Sequence, residues 1–349
     1  MKDKAVKTMR VKCPTCHSAF YIPDARIPVD KGIVFPCPSC KEGLIRARKP
    51  NPIKVKPVKK KIKKLSTGME LKKKILIKMS ALPAMPQIIL KARSIIGDPN
   101  SGLNELANLI ETDQSIASRA LILANSAYYG LPGKVSSIRH ACVMLGFHRL
   151  GELINIAATS NLMGRALTGY GAESGVLWRH ALSVAIGATI IAEDKYPELV
   201  NDAQVSGLLH DAGKIMLDSY IKERKKEFKE FMSDGLKTFL EAEKVILGFD
   251  HSDIASDICK IWGLPPAISI AIKYHHRPEA SHDNTLAYII HMADAISMMS
   301  DMGIGVDDVL YEMDRKSMEF LEMEDEDISK IMVEVVKQVN KITEDYMEN

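Results

Sequence analysis

Residues 207–217 read GLLHDAGKIML, and this stretch decides how the chain is read. It sets a His210-Asp211 doublet among apolar residues, with Lys214 one helical turn after His210. A buried imidazole and carboxylate side by side are costly unless a metal ion, water or mutual hydrogen bonds offset their desolvation. The glycines look superficially like a phosphate-binding loop. Five residues separate Gly207 from Gly213, and Ile215 stands where Ser or Thr is required, so that reading fails.

Working outward, the doublet has company in a definite order. His180 precedes it; His251, the pair His275-His276 and Asp294 follow. Each falls on an expected helix or at its end, and packed helices can aim such side chains at one centre. Mixed imidazole and carboxylate ligands suit Fe, Mn or Zn, and a carboxylate can bridge two ions. An ion pair about 3.5–4 Å apart clamps a phosphate and acidifies a bound water. Isolated histidines on helices are ordinarily satisfied polar groups in or near a core, the expectation for His140, His148, His282 and His291.

The surroundings are helical from about residue 68 onward. Apolar residues recur at spacings of three and four, as in Leu103, Leu106, Ala107 and Ile110. Ser101 or Asn104, Asp202, and Asp250 with Asp253 three residues later are expected helix caps. Pro265 and Pro266 open a helix that ends at Tyr274–His276, and Gly130, Gly133, Gly146 and Gly171 mark breaks. No alternation long enough for a sheet and no fixed-period repeat is present in this part. Residues 305–349 mix acidic and apolar positions (Met318, Leu321, Met323, Ile328, Ile331, Met332), the pattern of amphipathic helices packing on the body or offered to a partner.

Residues 79–300 resemble the HDOD family (HD-related output domain), a branch of the HD phosphohydrolase superfamily. The resemblance is carried by Leu82-Pro83, Leu123-Ala124-Asn125-Ser126, Tyr128-Tyr129-Gly130 and Leu145-Gly146. It continues through GLLHDAGKIML, GFDHSDIASDICKIWGLP, AIKYHH and HMADAI. It implies an all-α HDOD/HD-superfamily fold over 68–300, with a helical bundle at 79–160, an HD-like core at 161–300 and C-terminal helices at 301–349. It implies that His180, His210, Asp211 and Asp294 form a mononuclear metal site. His251, His275 and His276 match the further positions with which HD-GYP relatives hold more metal. Lys214 matches the lysine of their HDxGK pattern, placed to meet a phosphate oxygen as a point charge. The chain departs from those enzymes after the double histidine: Arg277-Pro278-Glu279 follows, and the GYP loop is missing. Many HDOD proteins act as regulatory modules.

The first 45 residues are of another kind. Cys13-x2-Cys16 and Cys37-x2-Cys40, 20 residues apart, form two knuckles that together supply an all-thiolate tetrahedral shell. Such a shell leaves no open position, so a Zn2+ held there is structural. Short β-prone pieces at 19–22 and 32–35, broken by Pro, Gly and Asp, predict a small β-rich zinc ribbon over 11–45 that needs the ion as a staple. His17 follows Cys16 directly and reads as a neighbour of the ligands.

Residues 46–67 then form a basic linker, and its first 19 residues hold ten Lys/Arg, three Pro and no acid. Self-repulsion and proline predict an extended, disordered segment. Residues 1–64 carry 18 Lys/Arg against four Asp/Glu, so a chain of net charge +3 has a basic head and an acidic body. Such a head can meet nucleic acid, anionic lipid or an acidic partner. With no aromatics among the lysines, polyanion contacts would be non-specific.

The beginning MKDKAVKTMR has no apolar leader segment, and the apolar run Ala181–Ala192 is short for a membrane span. Paired CxxC thiols are at home in a reducing compartment. The expectation is a cytoplasmic bacterial signal-transduction protein acting on regulatory partners or a small nucleotide ligand. The alternative is a metal-dependent phosphohydrolase or phosphodiesterase on a nucleotide, in which Lys214 and Asp211 would be catalytic. A weaker alternative is a nucleic-acid-associated regulator working through the ribbon and linker.

Overall fold

The computed structural model describes residues 8–12, 19–23, 33–41, 44–47, 68–79, 85–233, 237–304 and 314–347. They fall into two units, Met1–Lys63 and Lys64–Asn349.

In the first unit β1 (Thr8–Lys12) pairs antiparallel with β2 (Ala19–Pro23), and β3 (Ile33–Pro36) with β4 (Leu44–Ala47). Val34 opposes Arg46 and Ile33 opposes Ala47. Strand pairing thus runs two residues into the stretch expected to be linker, because the β-prone Leu44-Ile45 carries its neighbours into register. Residues 37–41 turn between β3 and β4, with the Lys41 amide donating to the Cys37 carbonyl at 2.9 Å. Cys37 is buried and Cys40 half-buried. Cys13, Cys16 and His17, and the linker from residue 48 to 67, lie outside the described residues.

In the second unit a long helix organises a first group. Helices α2 (Met85–Gly97), α3 (Leu103–Glu111) and α4 (Gln114–Ala124) pack on α5 (Ile138–Met163). Gly146, at φ 71°, bends α5 by a conformation that side-chain-bearing residues avoid. Asp113 caps α4 and Ser137 caps α5, each through its side-chain oxygen. The expected caps at Ser101, Asn104 and Asp202 are not used. Gly102 precedes α3, while Ser101 donates to Glu105 at 3.2 Å. Asp202 instead pairs with Arg93 of α2 at 2.6 Å, tying the bundle to the second group.

That second group is built on α6 (Val176–Lys195), which is apolar on nearly every face and largely buried, the pattern of a core helix. Around it stand α7 (Val200–Leu209), α8 (Ala212–Glu223), α9 (Lys225–Phe231), α10 (Phe239–Leu247), α11 (His251–Ile261), α12 (Pro266–Tyr274) and α13 (Thr285–Met299). Gly207 lets α7 approach α6 so closely that a Cβ would lie 2.5 Å from the Cα of Ala185. At Gly213 of α8 a Cβ would lie 1.9 Å from the His251 carbonyl oxygen of α11. The glycines of the GLLHDAGK stretch therefore serve helix packing.

Short α1 (Gly68–Met79) rests on α11, with Lys72 paired to Asp257 at 2.8 Å. After α14 (Arg315–Phe320), α15 (Asp325–Met347) lays Ile328, Ile331, Val335, Val339 and Ile342 into the body against α6 and α13. Helices α5 and α6 are long and apolar enough to cross a membrane by length and composition, and most of each stretch is buried within the helical body.

Candidate metal centre

Six helices deliver the sequence-predicted residues to one place. His180 lies on α6, His210 ends α7, and Asp211 is the residue before α8. His251 begins α11, where Asp250 forms a capping box with Asp253. His275 ends α12, His276 follows it, and Asp294 lies on α13. All but His276 are at most 3% exposed, and His276 is half-buried.

Four of the five histidines are anchored through Nδ1. The acceptors are the carbonyls of Met302 for His180 (3.0 Å), Gly207 for His210 (2.7 Å) and Ile272 for His275 (2.6 Å), and Glu243 Oε2 for His251 (2.8 Å). A carbonyl or carboxylate only accepts, so each Nδ1 carries hydrogen and each Nε2 is turned inward. This is how proteins orient imidazoles toward a metal.

The inward atoms crowd. His180 Nε2 lies 3.2 Å from His210 Nε2, 3.5 Å from Asp211 Oδ2 and 3.3 Å from Asp294 Oδ1. His210 Nε2 is 3.5 Å from the same Asp211 oxygen. With Nδ1 of both rings donating, two neutral imidazoles would point lone pairs at each other, so the contact is satisfied either by a proton carried on one Nε2 or by a cation between them. Ligands about 2.1 Å from an ion sit about 3.0–3.4 Å from one another in octahedral or tetrahedral shells. The His180 Nε2 distances to His210 Nε2 and Asp294 Oδ1 fall in that range, while the two 3.5 Å distances to Asp211 Oδ2 and the 4.0 Å from His210 Nε2 to Asp294 Oδ1 are longer. On the other side of Asp211, Oδ1 lies 3.2 Å from His251 Nε2, which lies 2.9 Å from His276 Nε2. Asp211 thus faces two groups with its two oxygens, the disposition of a bridging carboxylate. His275 stands between them, and among the described residues its buried Nε2 has no hydrogen-bond partner. Both Asp211 oxygens are likewise buried without a well-aligned hydrogen bond.

Charge follows the geometry. Burial opposes the Asp211 carboxylate, yet Lys214, His210 and His251 hold it well below the usual range. Asp294 is lowered against the same cost by His180 and His210. Burial also opposes the His210 cation, but Asp211 and Asp294 raise its pKa. His251 rises to about 9 because Glu243 and Asp211 outweigh burial. His275 falls to about 3, through burial and then His210, and His276 falls well below the ordinary range, through burial and then His275. Lys214, expected to face a phosphate, is 3% exposed with Nζ 2.9 Å from Asp211 Oδ2.

Sequence reading missed Glu243. Its carboxylate is fully buried and accepts from Tyr170 Oη (2.6 Å), the His251 amide (2.8 Å) and His251 Nδ1 (2.8 Å). One signal could have found it: Glu243 sits four residues from both Phe239 and Leu247, on the buried stripe of α10. Of the remaining described histidines only His291 is a core group, with Nδ1 on the His275 carbonyl at 2.7 Å. His140, His148 and His282 are exposed, on turns of helix and loop that face outward.

Fold and centre together define a helical His/Asp domain of the HD superfamily. A model of the HDOD domain matches residues 82–278, more than half of the chain, and the chain belongs to that family. An HDOD domain protein of unknown function from Geobacter sulfurreducens is 25% identical with a TM-score of 0.65, covering 78% of this chain and 99% of that one. A proposed signal transduction protein from Marinobacter aquaeolei VT8 is 19% identical with a TM-score of 0.64, covering 89% and 75%. A proposed phosphohydrolase from Shewanella amazonensis SB2B is 21% identical with a TM-score of 0.60, covering 78% and 97%. These last two share the fold. An uncharacterized protein of Treponema pallidum (strain Nichols) is 24% identical over 196 residues, 56% of this chain, and the chain spans 37% of that protein's length.

Proposed function

We propose that the chain is a regulatory signal-transduction module of the reducing cytoplasm, in which the His/Asp centre holds one or two ions of the Fe, Mn or Zn type. The observation that supports the metal reading is the set of anchored histidines whose Nε2 atoms converge on Asp211 and Asp294 at 3.2–3.5 Å. His180, His210, Asp211 and Asp294 would hold the first ion; His251, His275 and His276 would hold a second, bridged by Asp211. Such an ion supplies positive charge and an acidified water. The chain's own groups orient the imidazoles and exclude solvent. Regulation is favoured over turnover because six of the seven ligand positions are sealed from solvent, whereas hydrolysis needs a phosphate to reach them.

The first unit completes the reading. Cys37 and Cys40 lie in the turn between β3 and β4, and Cys13 and Cys16 fall between the paired strands β1 and β2 in sequence. A single Zn2+ on the four thiolates would staple two hairpins too small for a core of their own. The ribbon and basic linker then serve as a docking arm for a regulatory partner or, without base specificity, a polyanion.

Metal analysis of the whole chain tests this. The Cys37→Ser/Cys40→Ser protein should retain metal, and adding Asp211→Ala should remove it. The loaded protein should not hydrolyse cyclic dinucleotides or simple phosphoesters. Turnover that disappears with Asp211→Ala would establish the phosphohydrolase instead, with half-buried His276 marking the way in.

A further inference from the structure

A second polar cavity lies away from the His/Asp centre, and no residue of that centre lines it. It has a volume of about 330 Å3 and is enclosed by α5, α6, α7 and α15, where the bundle, the second helical group and the C-terminal helix meet. Its floor is apolar, formed by Ile156, Leu182, Ala185 and Ile186. Two hydrogen-bonded pairs are set beside that floor. Tyr128 Oη donates to Glu152 Oε1 at 2.5 Å, and Asn155 Nδ2 donates to Gln204 Oε1 at 2.8 Å.

Each pair leaves one group unused. Among the described residues no donor reaches Glu152 Oε2, and no acceptor reaches Nε2 of Gln204, a residue only 6% exposed. Thr189 Oγ1, buried on the same wall, also has no partner. An acceptor on half-buried Glu152 and a donor on buried Gln204, both open to one cavity beside the buried, unpartnered Thr189 hydroxyl, point to a ligand. The mouth carries Arg149 and Lys341, neither bound to an acid among the described residues. Of the two acids there, Glu334 is already engaged by Lys337 (3.1 Å) and Gln338 (2.9 Å), while Glu193 opposes an anion.

We propose that this cavity is a binding site for a purine mononucleotide, with the base inward and the phosphate at the mouth. A purine is a flat apolar body with N–H donors and ring or carbonyl acceptors on its edge. It covers the aliphatic floor, gives Glu152 Oε2 an N–H, and takes one from Gln204 Nε2. The phosphate then meets Arg149 and Lys341. A free amino acid would satisfy both charges yet leave much of the volume empty. Burial raises the pKa of Glu152, and an N–H donor from a base restores what solvent no longer supplies.

The site is placed to report on the rest of the molecule. Glu193 and Thr189 lie on the same helix as His180, about 14–20 Å along it at 1.5 Å per residue. Gln204 lies on α7, six residues before His210. A nucleotide here would also clamp α15 to α5.

Calorimetry on the full-length chain with GMP and AMP tests the assignment. At least one should bind saturably, one per chain, with Kd below about 1 mM. The matching nucleoside should bind at least about tenfold more weakly. Glu152→Gln keeps a partner for Tyr128 but turns an amide toward the base, and it should weaken binding by about tenfold or more without changing metal content. Arg149→Ala with Lys341→Ala alters side chains near the surface, so it reads binding even where Glu152→Gln fails to fold. It should bring the nucleotide down to the affinity of the nucleoside. No saturable binding of either nucleotide overturns the proposal. So does binding that both variants leave unchanged, or that disappears with metal removal alone, or an amino acid binding where nucleotides do not.

Discussion

Replacing Glu243 separates the scaffold of the metal centre from its ligands. The carboxylate is not itself an expected ligand, yet it accepts three hydrogen bonds inside the core, two of them from His251. Glu243→Leu fills a similar volume and leaves the His251 amide and His251 Nδ1 without their acceptor, and removes the acceptor of the Tyr170 Oη hydrogen bond. Each buried orphan donor costs about 1–3 kcal/mol before relaxation, so a loss of several kcal/mol is expected. Glu243→Gln is gentler. The Tyr170 hydroxyl can rotate to accept from the new amide, and His251 keeps its acceptor, so mainly the charge is lost. That difference between charged and neutral hydrogen bonds is about 1 kcal/mol, a melting shift of about 2–4 °C in a domain of this size. Metal affinity should fall further than stability suggests, by about 10–100-fold, since the imidazole loses the partner that fixes its orientation and basicity. Thermal melting beside metal titration of both variants provides the measurement. A Glu243→Leu protein that melts within about 1 °C of the parent and binds metal equally would refute the reasoning.

Three other outcomes follow. In metal-free protein the folded pKa of His251 is about 9, above the ordinary value of 6.5. Its contribution to stability is therefore complete below pH 6.5 and is lost as pH rises through 9; chemical denaturation across that window should show the decline, and metal should abolish it. Gly213→Ala drives a Cβ into the His251 carbonyl, so α8 and α11 must separate at a cost of about 1–3 kcal/mol or more. Melting temperature and metal content should fall together, and an unchanged metal content would show that α11 tolerates the shift. Cys37→Ser should release one zinc per chain and expose residues 8–47 to protease while the main melting transition stays in place; zinc retained in full would exclude the ribbon.

Much of the architecture was legible from local chemistry. Helical spacing is a short-range property, and so are the Asp250–Asp253 box and the Pro265-Pro266 start, which the helices use as expected. The His/Asp residues that converge in the structure were legible as well, because His-Asp doublets and paired histidines stand out in apolar segments. Glu243 was not, since one acidic residue in an amphipathic helix resembles any other until the helix is packed. Ser101, Asn104 and Asp202 could each have capped a helix, and only the partners available in space, Glu105 for Ser101 and Arg93 for Asp202, assigned two of them elsewhere.

The sequence by itself determined that a helical body follows a basic, cysteine-bearing head, because periodicity, capping and charge are written along the chain, and its motifs carried the resemblance to the HDOD family. The tertiary structure alone decided that Lys214 turns inward to Asp211, that Met302 and Gly207 lend carbonyls to His180 and His210, and that Glu152 and Gln204 open into one cavity. Those outcomes depend on contacts between residues far apart in sequence. Desolvation and pairing are properties of the packed interior, and they have no counterpart in the linear chain.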